Sequence, residues 1–301
     1  MLNSKLYLMS DPNQPKRFSI PGFFQVTRIQ NLSVIILTQY LAAIFLVNNY
    51  GSTNRLLEID LFILVISTVL IAAAGYLIND YYDVKIDLIN KPDKVVVGTV
   101  LKRRSVMMAH TVFNFMGVTL GLIIDYRIGI RNFAAAFILW LYSNQLKRTL
   151  FLGNLVVAAL AGLTVMVVGI FHNQVNMAII LYSAFAFTSN LVREIVKDIE
   201  DLQGDVKFGS KTLPIVLGIR KTKGVILFIN ISFFIFILNL LSGSAFPGPD
   251  LVLYFILVPL ILLSGMLIRA DKKKDFSILS SSIKWFMLIG IATMILIDYP
   301  G

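Results

Sequence analysis

The 301-residue chain is 57% hydrophobic and 15% charged, with a mean hydropathy of +0.78, which excludes a soluble globular protein. It contains no cysteine, which excludes disulfides and thiolate chemistry. A net charge of +10 is compatible with nucleic-acid binding in a soluble protein. In a chain of this composition membrane topology explains the charge better, and we expect no nucleic-acid partner.

Uncharged runs near the bilayer-spanning length recur along the chain and predict an all-α, polytopic membrane protein. The nine predicted transmembrane helices are Leu32–Val47, Leu61–Ile78, Val106–Ile124, Phe133–Leu146, Leu150–Phe171, Val175–Val192, Val225–Leu241, Leu251–Ile268 and Trp285–Ile297. The fourth and ninth runs are short, so eight spans are the alternative. We expect residues 1–301 to form a single domain, with a polar N-terminal tail over residues 1–22 that is not a cleavable signal peptide.

Lysine and arginine are distributed unevenly between the two sides that these spans define. All 27 basic residues except Arg55, Arg127 and Arg131 fall on one side. The positive-inside rule makes that side cytoplasmic, at the cell membrane, with the N-terminus inside and, for nine spans, the C-terminus outside.

Two aspartate motifs follow the second and sixth spans, both on the predicted cytoplasmic side. The first, N-D-Y-Y-D-V-K-I-D, covers Asn79–Asp87, and the second, K-D-I-E-D-L-Q-G-D, covers Lys197–Asp205. Both contain the spacing D-x-x-D-x-x-x-D, which on a helix places three carboxylates within about 60° of one another. Solvated helix ends need no common spacing, and the macrodipole disfavours anions near a helix C-terminus. The pattern therefore predicts that the two motifs share bound cations.

The ligand types narrow the choice of cation. Aspartate and asparagine oxygens without nearby histidine or cysteine favour Mg²⁺, Mn²⁺ or Ca²⁺ over zinc. Basic residues crowd the same loops: Lys91, Lys94, Lys147, Arg148, Arg193, Lys197 and Lys211. Carboxylates, a metal and basic side chains together predict a diphosphate site, and its place at the membrane predicts a lipid diphosphate.

These motifs resemble the UbiA superfamily of intramembrane prenyltransferases. Further matching segments are R-I-Q-N at Arg28–Asn31, N-K-P at Asn90–Pro92, Y-S-N-Q-L-K-R at Tyr142–Arg148, G-N at Gly153–Asn154, R-E-I-V at Arg193–Val196 and K-T-L-P-I at Lys211–Ile215. The resemblance implies nine helices around a central cavity and two Mg²⁺ ions that hold a prenyl diphosphate between the motifs. It also implies that ionisation gives an allylic cation, which a lipophilic or amphipathic acceptor attacks.

The resemblance assigns roles to individual residues. The metal ligands it implies are Asn79, Asp80, Asp83, Asp87, Asp198, Asp201 and Asp205. The substrate-binding residues it implies are Arg28, Asn31, Lys91, Lys94, Tyr142, Lys147, Asn190, Arg193, Lys197 and Lys211. We expect Asp83, Asp201 and Lys147 to be catalytic, and Arg28 is a candidate for an anionic group on the acceptor.

Several interpretations stay open. Arg148 is either a diphosphate contact or a topology anchor, and Tyr142 either stabilises the cation through its π face or is an interfacial aromatic residue. Asn190 either orients Arg193 or the acceptor, or pairs with a neighbouring helix. Lys94 stands where relatives commonly have arginine, and a lysine cannot hold phosphate as a bidentate fork.

The second motif is most similar to the branch of the superfamily that alkylates geranylgeranylglycerol phosphate. The expected activity is therefore Mg²⁺-dependent transfer of a polyprenyl group, geranylgeranyl in that branch, to such a lipid. Prenylation of an aromatic quinone precursor of the 4-hydroxybenzoate or dihydroxynaphthoate type is the alternative within the family. A membrane transporter is the alternative from another class, although transporter sites are expected near the bilayer midplane rather than at the ends of spans.

Overall fold

A computed structural model describes residues 19–47, 53–242 and 250–297. Within these ranges the chain forms helices and no β-strand. In chain order the α-helices are α1 Ile20–Val26, α2 Ile29–Leu41, α3 Ile59–Asn90, α4 Arg103–Ile124, α5 Tyr126–Asn144, α6 Leu152–Phe171, α7 Met177–Glu200, α8 Leu202–Lys207, α9 Leu213–Leu217, α10 Ile219–Ser242, α11 Asp250–Arg269 and α12 Lys273–Ala292. Helix α2 continues as a π-helical segment, Ala42–Leu46, and short 3₁₀ segments include Pro92–Lys94 and Leu146–Arg148.

The all-α, multi-span prediction is confirmed. Within the described ranges, seven helices are long and apolar enough to cross a membrane, and they correspond to α2 with its π-helical extension, α3, α4, α6, α7, α10 and α12. The fourth and eighth predicted spans coincide with α5, which carries Arg127 and Arg131, and with α11. The exact number of nine spans stays a prediction.

The first helix begins inside the predicted polar tail, most of which lies outside the described residues. The Ser19 side chain caps α1 by accepting a hydrogen bond from the Gly22 backbone N–H at 3.2 Å. Between α1 and α2, Arg28 adopts a left-handed backbone conformation with φ of 53°, which is uncommon for a residue other than glycine. This joint separates the two helices and places the Arg28 side chain at the mouth of the central cavity described below.

Helix length explains where the first aspartate motif lies. Helix α3 contains 32 residues and is therefore about 48 Å long, whereas a hydrocarbon core is about 30 Å thick. Its last turns, which carry Asn79–Asp87, extend beyond the apolar stretch.

Polar side chains join the helices within the apolar interior. The Gln39 amide of α2 donates to the Thr68 hydroxyl of α3 at 3.2 Å and to the Thr164 carbonyl of α6 at 3.1 Å. The Asn132 amide of α5 donates to the Gly117 carbonyl of α4 at 2.9 Å. Interhelical hydrogen bonds of this kind hold membrane helices in register.

Candidate active site

A central cavity of about 1170 Å³ lies among α2, α3, α5, α6, α7 and α12. Sixteen of the predicted site residues line it: Arg28, Asn31, Asn79, Asp80, Asp83, Asp87, Lys91, Lys94, Tyr142, Lys147, Asn190, Arg193, Lys197, Asp198, Asp201 and Asp205. The structure thus brings together residues that the sequence separates by more than 100 positions.

Lys211 is the exception among the predicted substrate-binding residues. Its side chain is exposed and does not line the cavity. Its backbone N–H instead donates to the Arg148 carbonyl at 2.8 Å, so this residue supports the Leu146–Arg148 turn rather than facing the cavity.

The first motif presents its carboxylates to two different basic residues. Asp80 accepts a hydrogen bond from the Arg28 guanidinium at 2.8 Å, and that guanidinium also lies 4.8 Å from the Tyr76 ring centroid. Asp83 accepts a hydrogen bond from the Lys147 ammonium. This second ion pair is well buried, since the two side chains are 9% and 16% exposed. The structure therefore commits Arg28 to Asp80, although we expected it to be available to the acceptor.

The second motif does not lie on one continuous helix, so the sequence expectation of a single helix face holds only for the first. Helix α7 ends at Glu200, Asp201 occupies the junction, and Asp205 lies in the short helix α8. Asp198, in the last turns of α7, accepts a hydrogen bond from the Asn154 amide at 2.8 Å.

Two contacts hold the motifs opposite each other. The Lys91 ammonium, just after the first motif, donates to Asp201 at 2.8 Å. The neighbouring Asn90 side-chain oxygen accepts a hydrogen bond from the Gly204 backbone N–H at 3.0 Å. The end of α3 is therefore fixed to the junction between α7 and α8.

The basic residues of α7 are also paired. Glu194 forms ion pairs with Arg193 at 3.3 Å and with Lys197 at 3.2 Å. These two predicted diphosphate contacts thus face the cavity beside a carboxylate on their own helix.

The surroundings of Asp201 and Asp205 in the second motif favour an additional cation. Burial raises the pKa of Asp205 to about 6, and the negative charges of Asp201 and Asp83 act in the same direction. Burial opposes the charged form of Lys91, but the charge of Asp201 and the hydrogen bond to it prevail and raise the Lys91 pKa. One oxygen of Asp201 is buried and has no hydrogen-bond partner among the described residues.

Oxygen donors from aspartate and asparagine fit Mg²⁺ chemically. Across the described residues, however, no three acidic or histidine side chains form a ready-made metal cage. Lys147 and Lys91 each neutralise one oxygen of Asp83 and of Asp201 instead, so these carboxylates keep at most one oxygen for a metal while the ion pairs persist.

Sequence reasoning gave no role to three residues that position the site. Asn154 orients Asp198, Asn90 connects the two motifs, and Gly153 permits close packing. A Cβ at Gly153 would lie 2.6 Å from the Leu146 carbonyl oxygen, next to Lys147. The G-N and N-K-P segments were the available signals, but their partners depend on how the helices pack.

The cavity is polar at the motif end and apolar beyond it. Its walls past the motifs include Leu139 of α5, Leu160 of α6, and Leu288 and Ile291 of α12. This arrangement accommodates a molecule with a charged head and a hydrocarbon tail.

Comparison with known proteins identifies the family. The UbiA prenyltransferase family matches residues 35–289. The chain belongs to this family. It is therefore a prenyltransferase, as the aspartate motifs predicted.

Similar proteins agree with this assignment. Over 211 residues, which cover 70% of this chain and 74% of the relative, the prenyltransferase is 35% identical to the digeranylgeranylglyceryl phosphate synthase of Thermococcus gammatolerans. A solved structure described as that of a digeranylgeranylglyceryl phosphate synthase in membranes has a TM-score of 0.70 at 24% identity, covering 92% of this chain and 98% of its own. A UbiA homologue from Archaeoglobus fulgidus bound to GPP and Mg²⁺ has a TM-score of 0.64 at 14% identity, with 91% and 99% covered. The two structures show that the fold is shared.

Proposed function

We propose that this prenyltransferase transfers a geranylgeranyl group from its diphosphate to geranylgeranylglycerol phosphate, with two Mg²⁺ ions as cofactors. The observation that carries the proposal is the convergence of both aspartate motifs, each with its own lysine, on one amphipathic cavity. The name of the Thermococcus relative supports the choice of acceptor. The A. fulgidus homologue bound to GPP and Mg²⁺ supports the choice of donor class and metal.

Lys147 and Lys91 have a double task in this proposal. Without substrate they neutralise Asp83 and Asp201, which would otherwise be buried anions. When the donor binds, their ammonium groups would contact the phosphate oxygens, which would leave both oxygens of each carboxylate available to hold a metal. Arg193 and Lys197 add positive charge at the same end of the cavity. Together these four residues stabilise the diphosphate as it leaves.

The residues that would hold Mg²⁺ are Asn79, Asp83 and Asp87 from the first motif and Asp198, Asp201 and Asp205 from the second. Asp80 is a weaker candidate, because Arg28 already binds it. Bound Mg²⁺ supplies neutralisation of the charge that develops on the departing diphosphate.

The apolar part of the cavity binds the hydrocarbon chains and excludes water from the allylic cation. Tyr142 lines the polar end, and its ring can stabilise that cation. We place this end at the cytoplasmic face, as the distribution of lysine and arginine predicts.

The test uses the purified protein with geranylgeranyl diphosphate and a panel of acceptors: geranylgeranylglycerol phosphate, 4-hydroxybenzoate and dihydroxynaphthoate. Each reaction is run with Mg²⁺ and with a chelator, and products are identified by mass spectrometry. We expect the double ether lipid phosphate only when Mg²⁺ is present. Product from an aromatic acceptor alone would assign the quinone-precursor activity, and product in the presence of chelator would contradict the proposed role of the metal.

A further inference from the structure

The cavity-facing side of α12 changes from polar to apolar part-way along the helix. It begins with Ser277, Ser281 and Lys284 and continues with Met287 and Ile291. These positions are i, i+4, i+7, i+10 and i+14, so they form one stripe along a single helix face. A stripe of this composition matches an amphiphile that lies along the helix with its head toward the N-terminal end.

Lys284 stands eleven residues after the start of α12, about 16 Å along the helix axis. Within the described part of the chain its ammonium has no hydrogen bond or ion pair, whereas Arg28, Lys91 and Lys147 each contact an aspartate. A lysine inside an apolar membrane helix is costly unless it has a function or a counter-ion. A bound ligand with an anionic group would supply the counter-ion that Lys284 lacks.

The packing of α12 against α7 fixes the level of Lys284 in the cavity. The Tyr182 hydroxyl lies 2.8 Å from the Thr293 hydroxyl, and the rings of Phe185 and Phe286 are 5.0 Å apart, so the two helices run antiparallel. Continuing this register places Lys284 beside Asn190, which also lines the cavity.

Asn190 precedes Asp198 by eight residues, so the Lys284 backbone lies about 12 Å beyond Asp198 along the helix axis. Helical side chains lean toward the N-terminus, which for α12 is the end nearer the motifs. The Lys284 ammonium is thus directed back toward the reaction centre from the apolar side. Of the basic residues proposed to serve the donor diphosphate, Lys91, Lys147 and Lys197 lie at the motifs, and Arg193 lies between the second motif and the level of Lys284.

We infer that Lys284, together with Ser277 and Ser281, binds the anionic headgroup of the acceptor, a phosphate monoester carried on an isoprenoid chain, while Met287 and Ile291 contact its hydrocarbon. This inference rests on the proposed function for the nature of the acceptor. It assigns to Lys284 the role for which Arg28 was a candidate from the sequence, since the structure pairs Arg28 with Asp80. Lys284 is a binding residue that determines specificity for a charged acceptor.

The kinetic test compares Lys284→Met with the wild type, using geranylgeranylglycerol phosphate and the same lipid without its phosphate. Lys284→Met should raise the KM for the phosphate acceptor about tenfold or more, the effect of losing one charge-assisted hydrogen bond. The KM for geranylgeranyl diphosphate and for the uncharged acceptor should stay within about twofold, and Lys284→Arg should restore most of the loss. Lys274→Met, which removes an exposed lysine of the same helix, is the matched control. An unchanged acceptor KM, or an equal rise in the KM of donor and acceptor, would overturn the inference.

A binding test separates this inference from the proposed function. Thermal unfolding is measured in detergent without donor or metal, in the presence of the phosphate lipid, the uncharged lipid or inorganic phosphate. The phosphate lipid should raise the Tm of the wild type and of Lys274→Met but not that of Lys284→Met.

If the wild type binds this lipid in a Lys284-dependent way and does not prenylate it, the proposed function fails and the inference stands. If it prenylates the lipid and Lys284→Met binds equally well, the reverse holds. An equal shift with inorganic phosphate would contradict recognition of a lipid headgroup, and no shift with any of the three would overturn the inference itself.

Discussion

At the level of single residues, the carboxylates of the two motifs differ in whether a basic side chain neutralises them. Asp80, Asp83 and Asp201 each contact a basic side chain. Among the described residues, Asp198 and Asp205 form no ion pair, and one oxygen of Asp201 has no partner. Buried anions without counter-ions are energetically costly, so binding of an added cation near these carboxylates is favourable.

The first prediction concerns Asp83→Asn and Asp201→Asn, which keep side-chain shape and remove charge. Each should lower kcat/KM about 100-fold or more, because one electrostatic contribution to the transition state is lost. Steady-state transfer of radiolabelled geranylgeranyl groups measures the effect. Asp271→Asn, at a side chain that is 86% exposed, is the control and should be silent. Near-normal turnover in either motif variant would contradict the assignment.

The second prediction concerns pH and follows from Asp205. Because its pKa is raised to about 6, the carboxyl is protonated below that pH and Mg²⁺ must displace the proton to bind. The apparent Mg²⁺ affinity should therefore fall up to about tenfold per pH unit as the pH decreases below 6. The Mg²⁺ concentration for half-maximal activity, measured between pH 5 and 8, tests this. In Asp205→Asn the part of this pH dependence that comes from Asp205 should disappear.

The same pKa of Asp205 predicts how the stability of the metal-free protein changes with pH. A carboxyl whose pKa is raised by folding contributes stability at low pH, and the contribution is lost as the pH rises through about 6. Metal-free protein should thus have a lower Tm at pH 7 than at pH 5 from this group. A fixed Mg²⁺ concentration should raise the Tm more at pH 7 than at pH 5, and equal increases at both pH values would be evidence against the carboxylate site.

At the level of elements, short connections rather than long helices determine where the two lysines that pair with the aspartate motifs lie. Lys147 lies in the 3₁₀ turn between α5 and α6, and Lys91 is the C-cap residue that follows α3. The first turn of α6 packs directly on the Lys147 turn at Gly153.

This packing yields the third prediction. Gly153→Ala would place a Cβ 2.6 Å from the Leu146 carbonyl and 2.9 Å from the Lys147 Cα, so the turn must shift. We expect a stability loss of about 1–3 kcal/mol, and a misplaced Lys147 should cost about 10- to 100-fold in kcat/KM. Gly224→Ala is the matched control: a Cβ there meets nothing within 4 Å, and alanine favours the helix by about 1 kcal/mol. The Tm and kcat/KM of both variants test this prediction. Full activity in Gly153→Ala would contradict it, because it would show that the turn tolerates displacement.

The elements also show what the sequence could and could not predict. Hydropathy predicted the helices that cross the membrane, and the aspartate spacing predicted the composition of the cavity wall. The break at Asp201 was not predictable, because the D-x-x-D-x-x-x-D spacing is the same in a continuous helix. The Arg28–Asp80 and Lys91–Asp201 pairs were also missed, since they join residues 52 and 110 positions apart and depend on helix packing.

At the level of the whole molecule, one amphipathic cavity runs from the two motifs into the apolar bundle. Helices α3 and α7 bring the motifs to the same end of it, and α12 supplies a wall whose polarity changes along its length. The end of the cavity that suits a charged headgroup and the end that suits hydrocarbon chains therefore lie at different positions along one axis. The distribution of basic residues predicts that the charged end is reached from the cytoplasmic side.

The absence of cysteine makes this last prediction directly testable, because single cysteines can be introduced without background. Lys102→Cys, Lys207→Cys and Lys273→Cys should react with a membrane-impermeant maleimide only after cells are permeabilised, since these residues are exposed and lie on the predicted cytoplasmic side. Arg127→Cys, at the start of α5, should react in intact cells. Labelling of Lys102→Cys or Lys207→Cys in intact cells would place the aspartate motifs on the outer face. An enzyme oriented that way could not draw on a cytoplasmic diphosphate, because a charged headgroup does not cross the hydrocarbon core unaided.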